Sequence, residues 1–305
     1  MQIELQEFLM NEQQTSMKTL RLLLPQWQGG YDESEFPGQI YPLGARLLAW
    51  LAPPSNAPLI EIPIEPWTGA TPAKEGGVFY RQEILLQIRA ARNAIDTYRP
   101  DRVITFGGDC LVSQAPFSYL NERYDSNMGI IWIDAHPDIT TPKDFDHAHA
   151  MVLGNLLGEG EPLMAKEVKK HYQSEQVLLV GVDGVLSHER DTIDHLKIKT
   201  ISSKKIIDSS EAVIQWIRDQ GFEQVAIHLD LDVLDPTIFH SLLFCNPDVQ
   251  KHVEAERGKT KIEDISRLLQ DIAAQTNVAG ISFTEFMPWD ALNLKKMLAE
   301  LPFMK

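Results

Sequence analysis

The run Ile130-Ile131-Trp132-Ile133-Asp134-Ala135-His136-Pro137-Asp138 passes from apolar side chains into carboxylate, imidazole and carboxylate. Those are side chains that bind divalent metals. The apolar part, bounded by Gly129 and Pro137, fits a short strand buried on both faces of a parallel sheet. Side chains alternate along an extended chain, so Asp134, His136 and Asp138 are expected to project to one side for as long as the backbone stays extended. They would then converge at the carboxyl end of a strand, where open α/β sheets hold their sites. A second stretch, Val225 to Pro236, repeats the pattern, with Asp230 and Asp232 spaced i, i+2 at the end of an apolar run. A lone Asp-x-Asp is as readily a solvated loop or the cap of the next helix. Two such strand ends in one chain shift the weight towards a metal centre, because carboxylates buried together raise one another's pKa unless a cation sits among them.

These residues need a scaffold. Residues 19–24 read as a first strand, followed by turns around Gly29, Gly30, Pro37 and Gly38, and 43–51 as a helix. Residues 59–64 alternate like an edge strand among prolines. A long helix is expected over 78–98, with Ile84, Leu85, Ile88, Ala91 and Ile95 on one face and Pro100 ending it. Strand 102–106 runs into Gly107-Gly108-Asp109-Cys110, where glycine permits close backbone approach. A short helix follows at 116–124, then the metal strand, a buried helix start at 151–157, and strands at 176–182 and 198–201. Ser209-Ser210-Glu211 caps a helix that runs to Gln220, with Val213, Ile214 and Ile217 inward and Gly221 as its stop. Residues 237–260 lack periodicity and read as a long functional loop with some helix. A helix over 261–275, with Ile262, Ile265, Leu268, Leu269 and Ile272 on one face, a strand over 278–285 and a helix over 290–301 complete the chain. Strands alternating with helices imply an α/β fold, a parallel sheet with helices on both faces, in one domain over residues 1–305.

Composition narrows the function. The chain has 305 residues, 44% hydrophobic and 23% charged, which is ordinary for a globular protein. A net charge of -15 argues against nucleic acid and anionic membranes as partners and suits a cationic small molecule. Two cysteines, Cys110 and Cys245, are too few for a disulfide framework and point to a reducing compartment, the cytoplasm. Residues Met1 to Gln6 show no basic region before an apolar core, so no signal peptide is expected, and no apolar run reaches the roughly 18 residues of a membrane helix.

Gly107-Gly108-Asp109-Cys110, Asp134-Ala135-His136-Pro137-Asp138, His149-Ala150-Met151, Asp230 through Pro236 and Glu285-Phe286-Met287-Pro288 together resemble the arginase, agmatinase and formiminoglutamase family of ureohydrolases, in order and spacing over residues 100–290. The resemblance implies a three-layer α/β fold around a central parallel sheet of about eight strands. It also implies two Mn²⁺ ions per subunit, with Asp134 and Asp230 bridging them, Asp138 completing one site, where Cys110 stands at the position of a further ligand, and His136 and Asp232 the other. A hydroxide between the metals would attack the amidino carbon of a guanidino or formimino substrate. Asp138, His149 and Glu285 are then the catalytic set: Glu285 pairs with the guanidinium and His149 shuttles a proton to the departing amine. Family members are often trimers or hexamers, so a homo-oligomer is expected.

The departures from the family are specific. At Cys110 the family's glycine-rich motif has a metal-binding histidine; a thiolate is softer than Mn²⁺ prefers, and the alternative is a small buried thiol. Arginases carry an asparagine, and a serine-glycine-asparagine run before the histidine, to hold the amino acid's carboxylate; here Thr140 and Asp146-His147-Ala148 stand instead. The acidic pair after the next strand is missing from Gly181-Val182-Asp183-Gly184-Val185. Arginine is therefore not the expected substrate.

Other candidates weigh towards structure. His147 reads as a surface histidine, His228 as a core residue or a support behind the ligands, Asp235 as a turn former, and Asp109 as a cap of the strand end. Asp183 has a minor claim on substrate. The leading function is a metallohydrolase that cleaves a linear amidine or guanidine C–N bond. The alternative is a family member that has lost one or both metals and serves as a non-catalytic binding or regulatory subunit. A Mg²⁺-dependent phosphotransfer enzyme is disfavoured by the lack of a phosphate-cradling glycine loop, and an EF-hand over 230–235 by the lack of its glycine.

Overall fold

The computed structural model describes residues 17–31, 36, 38–246 and 255–304. Met1 to Gln6, Pro37 and residues 247–254 of the long loop lie outside these. Ten strands are described: β1 Thr19–Leu24, β2 Leu59–Glu61, β3 Lys74–Glu75, β4 Val78–Phe79, β5 Arg102–Gly107, β6 Met128–Ile133, β7 Val177–Val180, β8 Lys199–Ile201, β9 Gln224–Asp230 and β10 Asn277–Thr284. Eight of them form one sheet in the order β2-β1-β5-β10-β9-β6-β7-β8, with every pairing parallel. The short β3 and β4 pair antiparallel, apart from it.

The sheet is sandwiched by helices because its central strands are apolar on both sides. All six residues of β6 are buried. Ile130 and Trp132 face a cluster built with Ile84, Leu85, Phe117 and Leu120, from helices Arg81–Tyr98 and Gln114–Arg123. Ile131 and Ile133 face the opposite cluster, with Trp216, Ile217, Ile265 and Leu268 from helices Glu211–Gln220 and Ile262–Gln275. Fully burying one such aliphatic side chain contributes about 1.5–3 kcal/mol, and the same period-two alternation fixes which face each residue serves.

Element positions follow the sequence closely, with four corrections. The long helix begins at Arg81, not 78: Gly76 and Gly77 turn the chain at positive φ, Val78 and Phe79 pair with Lys74 and Glu75, and Tyr80 enters the helix at φ 53°. Ile262 is 56% exposed rather than inward, because it sits at the first turn, before the helix meets the sheet. Trp216, buried on the inner face of its helix, was not expected there. Helices Pro162–Lys166, Ser187–Leu196 and Ser203–Ile206 also went unforeseen, each too short or too polar for a clear apolar stripe. Among the described residues no helix is long and apolar enough to cross a membrane.

The glycine-rich turn after β5 is tightly enclosed. A Cβ on Gly108 would lie 1.8 Å from the carbonyl oxygen of Gln26, in the loop after β1. Gly108→Ala is expected to lower stability by about 2 kcal/mol or more, since backbone, not a flexible side chain, must give way. An unchanged urea midpoint would show that the turn tolerates the methyl group.

Candidate metal centre

The carboxyl ends of four adjacent strands deliver the ionisable groups. Cys110 follows β5, Glu285 follows β10, Asp230 ends β9, and Asp134 follows β6. Parallel pairing puts all four ends on one edge of the sheet, so residues more than a hundred positions apart in the chain become neighbours.

Three of these strand ends are locked by local bonds. Asp109 is fully buried; one carboxylate oxygen accepts the Leu111 N–H at 3.1 Å, the other the N–H groups of Gly29 and Gly30 at 2.9 and 3.2 Å. It thus caps the strand end and ties it to the loop after β1. Asp230 Oδ1 accepts the Asp232 N–H at 2.7 Å, and Oδ2 accepts the Cys110 thiol at 2.7 Å. Asp134 Oδ1 accepts the His136 N–H at 2.6 Å and Oδ2 the Trp132 indole N–H at 3.1 Å.

Asp134, His136 and Asp138 do converge, though not by strand alternation. Strand β6 stops at Ile133, and the chain turns so sharply that Asp138 sits at φ 49°. His136 Nδ1 lies 2.9 Å from Asp232 Oδ2, while the Gly154 N–H holds the Asp138 carbonyl at 3.1 Å. The same loop closes on itself where the Thr140 N–H and hydroxyl both reach the Ala150 carbonyl, at 3.0 and 2.8 Å. That places His149, whose Nδ1 is 3.1 Å from Glu285 Oε1. Glu285 itself lies at φ 59°, a strained setting for this residue type, with its N–H on the Gly108 carbonyl at 2.8 Å.

Among the described residues four overlapping groups of donor atoms result, one of them Cys110, His149 and Glu285. Cys110, Asp134, Asp138 and His228 each offer an atom within 4.8 Å of the others, and so do Asp134, His136 and Asp232. Asp134 belongs to both. Asp230 gathers with Asp232 and Glu285 in the same way. Every expected metal-ligand residue is therefore in one place. His228 was expected as core or support; it is fully buried, as core would be, yet it stands in the group with Cys110, Asp134 and Asp138. Its ring faces that of Trp132 at 3.7 Å, because the two residues are register partners across β6 and β9. Its position two before Asp230, on the same strand face, was the only signal in the sequence for this.

The electrostatics are those of buried carboxylates crowded around two imidazoles. Burial, reinforced first by the negative charge of Asp232, pushes Asp134 and Asp230 well above the usual carboxylate range. Asp138 is raised by burial too, although His149 and His136 oppose it. Burial and the nearby carboxylates also push the Cys110 thiol up. His136 is pulled down by burial, but the charge and hydrogen bond of Asp232 more than offset this and leave it at about 10; Glu285 does the same for His149, at about 9. Burial lowers His228 to about 3, so its ring is neutral. Three buried atoms of these residues, Asp138 Oδ2, His136 Nε2 and His228 Nε2, have no hydrogen-bond partner. Unpartnered carboxylate and imidazole groups fit a divalent cation, which would displace the His136 proton.

The model of the family described as "Arginase family" matches residues 65–242. The chain belongs to the arginase family. Among relatives, an arginase of Staphylococcus aureus is 29% identical over 140 residues, covering 44% of this chain and 46% of that protein. An arginase of Entamoeba histolytica is 23% identical over 61% of this chain and 62% of its own length. The matched stretch thus spans about half to three-fifths of these relatives. Arginase-family folds extend the likeness to nearly the whole chain. The Entamoeba histolytica arginase in complex with L-ornithine has a TM-score of 0.70 at 17% identity, covering 90% of this chain and 93% of that one. The Bacillus caldovelox arginase also scores 0.70, at 18% identity and 90% and 92% coverage. A putative agmatinase of Clostridium difficile scores 0.61 at 15% identity, covering 93% of each chain.

Other candidates of the sequence find plainer places. Asp183 accepts the Ser203 N–H at 3.0 Å and lies 3.3 Å from Lys259 Nζ, so its carboxylate is taken up in capping a helix rather than meeting a substrate. His147 is half-buried rather than an open surface histidine: its ring lies against Phe145 and Tyr31 at 5.0 and 6.4 Å, and its Nδ1 is 2.7 Å from Asp146. Asp235 Oδ1 accepts the Thr237 N–H and hydroxyl at 2.8 and 2.7 Å, the turn-forming role expected of it.

Proposed function

We propose that this chain is a metal-dependent hydrolase of the ureohydrolase type that cleaves the C–N bond of a linear guanidino or formimino compound other than arginine. The observation that carries the reading is the convergence of Cys110, Asp134, His136, Asp138, Asp230 and Asp232 beside the His149–Glu285 pair. Those six side chains would hold two divalent cations, with Mn²⁺ the best match to a donor set dominated by carboxylate and imidazole. When bound, such a pair supplies Lewis acidity and lowers the pKa of water close to the substrate.

The remaining steps belong to the protein's own groups. Glu285 presents a carboxylate at the rim of the centre and accepts the planar cationic N–H groups of an amidinium, which fixes the carbon against the metal face. His149 Nδ1 is held by Glu285 Oε1, which leaves Nε2 as the atom that passes a proton to the departing amine. Asp138 holds the nucleophilic side of the site through its unpartnered Oδ2. Buried walls exclude bulk water and strengthen each of these contacts.

Thr140 supports a substrate other than arginine: its hydroxyl donates to the Ala150 carbonyl and is not free to hold an α-carboxylate. Assay of the Mn²⁺-supplemented protein against a panel of guanidino and formimino compounds, reading urea or formamide release, tests the proposal. Turnover of at least one is expected. Glu285→Gln is expected to raise KM and lower kcat/KM about a hundredfold by removing the charge that meets the amidinium. Full metal loading with no turnover across the panel favours the non-catalytic binding subunit instead.

A further inference from the structure

His228 is the fully buried ionisable group that the proposed chemistry leaves without a task. Its Nδ1 lies 2.7 Å from Ser113 Oγ, and its ring stacks on Trp132 with the planes 8° apart. Its other nitrogen, Nε2, has no hydrogen-bond partner. The nearest carboxylate oxygen, Asp134 Oδ2, is 3.6 Å away and already accepts the Trp132 indole N–H. A histidine present only to fill the core would leave that nitrogen orphaned, at a cost of about 1–3 kcal/mol. Asp138, whose Oδ2 is also without a partner, belongs to the same group of donors, which Cys110 and Asp134 complete within 4.8 Å.

We infer that His228 Nε2 is a metal ligand, and that it supplies the imidazole donor of the site formed with Asp134, Asp138 and Cys110. The inference rests on the reading of this cluster as a divalent-metal centre. Ser113 sets the tautomer: with its hydroxyl accepting, the proton resides on Nδ1, and the Nε2 lone pair points at the site. The stack on Trp132 fixes the ring plane, and the same indole holds Asp134 through its N–H, so one tryptophan orients two ligands. Thiol, two carboxylates and imidazole then form a complete four-donor set, in which a thiol at position 110 is no longer the only donor from outside the aspartates.

The test uses Co²⁺ and Mn²⁺ as probes with the full-length protein. His228→Phe combined with Ser113→Ala keeps an aromatic ring on Trp132 and leaves no orphaned hydroxyl, and circular dichroism checks that it folds. Its weaker metal site is expected to bind Co²⁺ at least about tenfold less tightly than wild type by calorimetry, with the tighter site unchanged. Electron spin-echo modulation of the Mn²⁺-loaded wild type is expected to show directly coordinated nitrogen. His136→Asn should retain that nitrogen signal, because His228 still provides it, which tests the inference even if the double variant misfolds. Loss of all nitrogen coupling in His136→Asn, or unaltered Co²⁺ affinities in the double variant, would overturn the assignment while leaving a metal centre in place. Wild-type protein that binds neither cation would overturn the metal reading itself, and this inference with it.

Discussion

Asp230→Asn is expected to abolish the metal centre and to lower amidine hydrolysis on the order of 10³-fold, about 4 kcal/mol of transition-state stabilisation. The substitution keeps volume and shape, so packing at the end of β9 should survive. It removes one negative charge from a carboxylate that gathers with Asp232 and Glu285 and accepts the Cys110 thiol. An asparagine amide also turns a donor towards neighbours that are themselves cation-seeking, which opposes metal entry a second time. Plasma mass spectrometry should find the variant depleted of metal under conditions that load the wild type, with an unchanged far-ultraviolet spectrum. Full metal content in a folded Asp230→Asn protein would sink the proposed role of this residue.

Chelation of divalent cations is expected to destabilise the protein, and increasingly so as pH rises. Asp134, Asp138 and Asp230 are raised in the metal-free fold, so each opposes folding once the pH exceeds its unfolded value of about 4. His136 and His149 are also raised, to about 10 and about 9, so they stabilise the metal-free fold fully below about pH 6.5 and lose that contribution as the pH climbs through those values. Both effects lower the stability of the metal-free fold as the pH rises, and His136 and His149 carry the slope between about pH 7 and 9. The lowered groups, His228 and Asp232, act at acid pH and contribute no slope in this window. Metal at a thousandfold excess over its Kd would restore about 4 kcal/mol, roughly 10 °C in Tm. Thermal melts with and without chelator should therefore diverge from pH 7 to 9. Parallel curves would show that the buried carboxylates are not waiting for a cation.

Much of this site can be read along the chain because strand and motif coincide. An apolar run followed by Asp-x-His-x-Asp, and another followed by Asp-x-Asp, announce strand ends with ligands, and family resemblance supplies the partners that lie far off in sequence. The failures have physical causes. Alternation was expected to align Asp134, His136 and Asp138, but β6 ends one residue before Asp134, and a left-handed turn at Asp138 completes the convergence instead. A period-two rule holds only while pairing continues, and Pro137 has no N–H with which to continue it. His147 was misjudged because ring neighbours such as Tyr31 come from distant segments.

Local sequence by itself determined the strands of the large sheet, most of the helices and the identity of the acidic and imidazole groups, because burial on both faces and metal chemistry each impose a short-range pattern. Tertiary structure alone decided the sheet order β5-β10-β9-β6, which brings Cys110, Glu285, Asp230 and Asp134 to one edge. It also decided the surroundings of His228. Only the register between β6 and β9 lays that ring on Trp132 and turns Nε2 towards Asp134, and register is a property of two strands together that neither strand specifies alone.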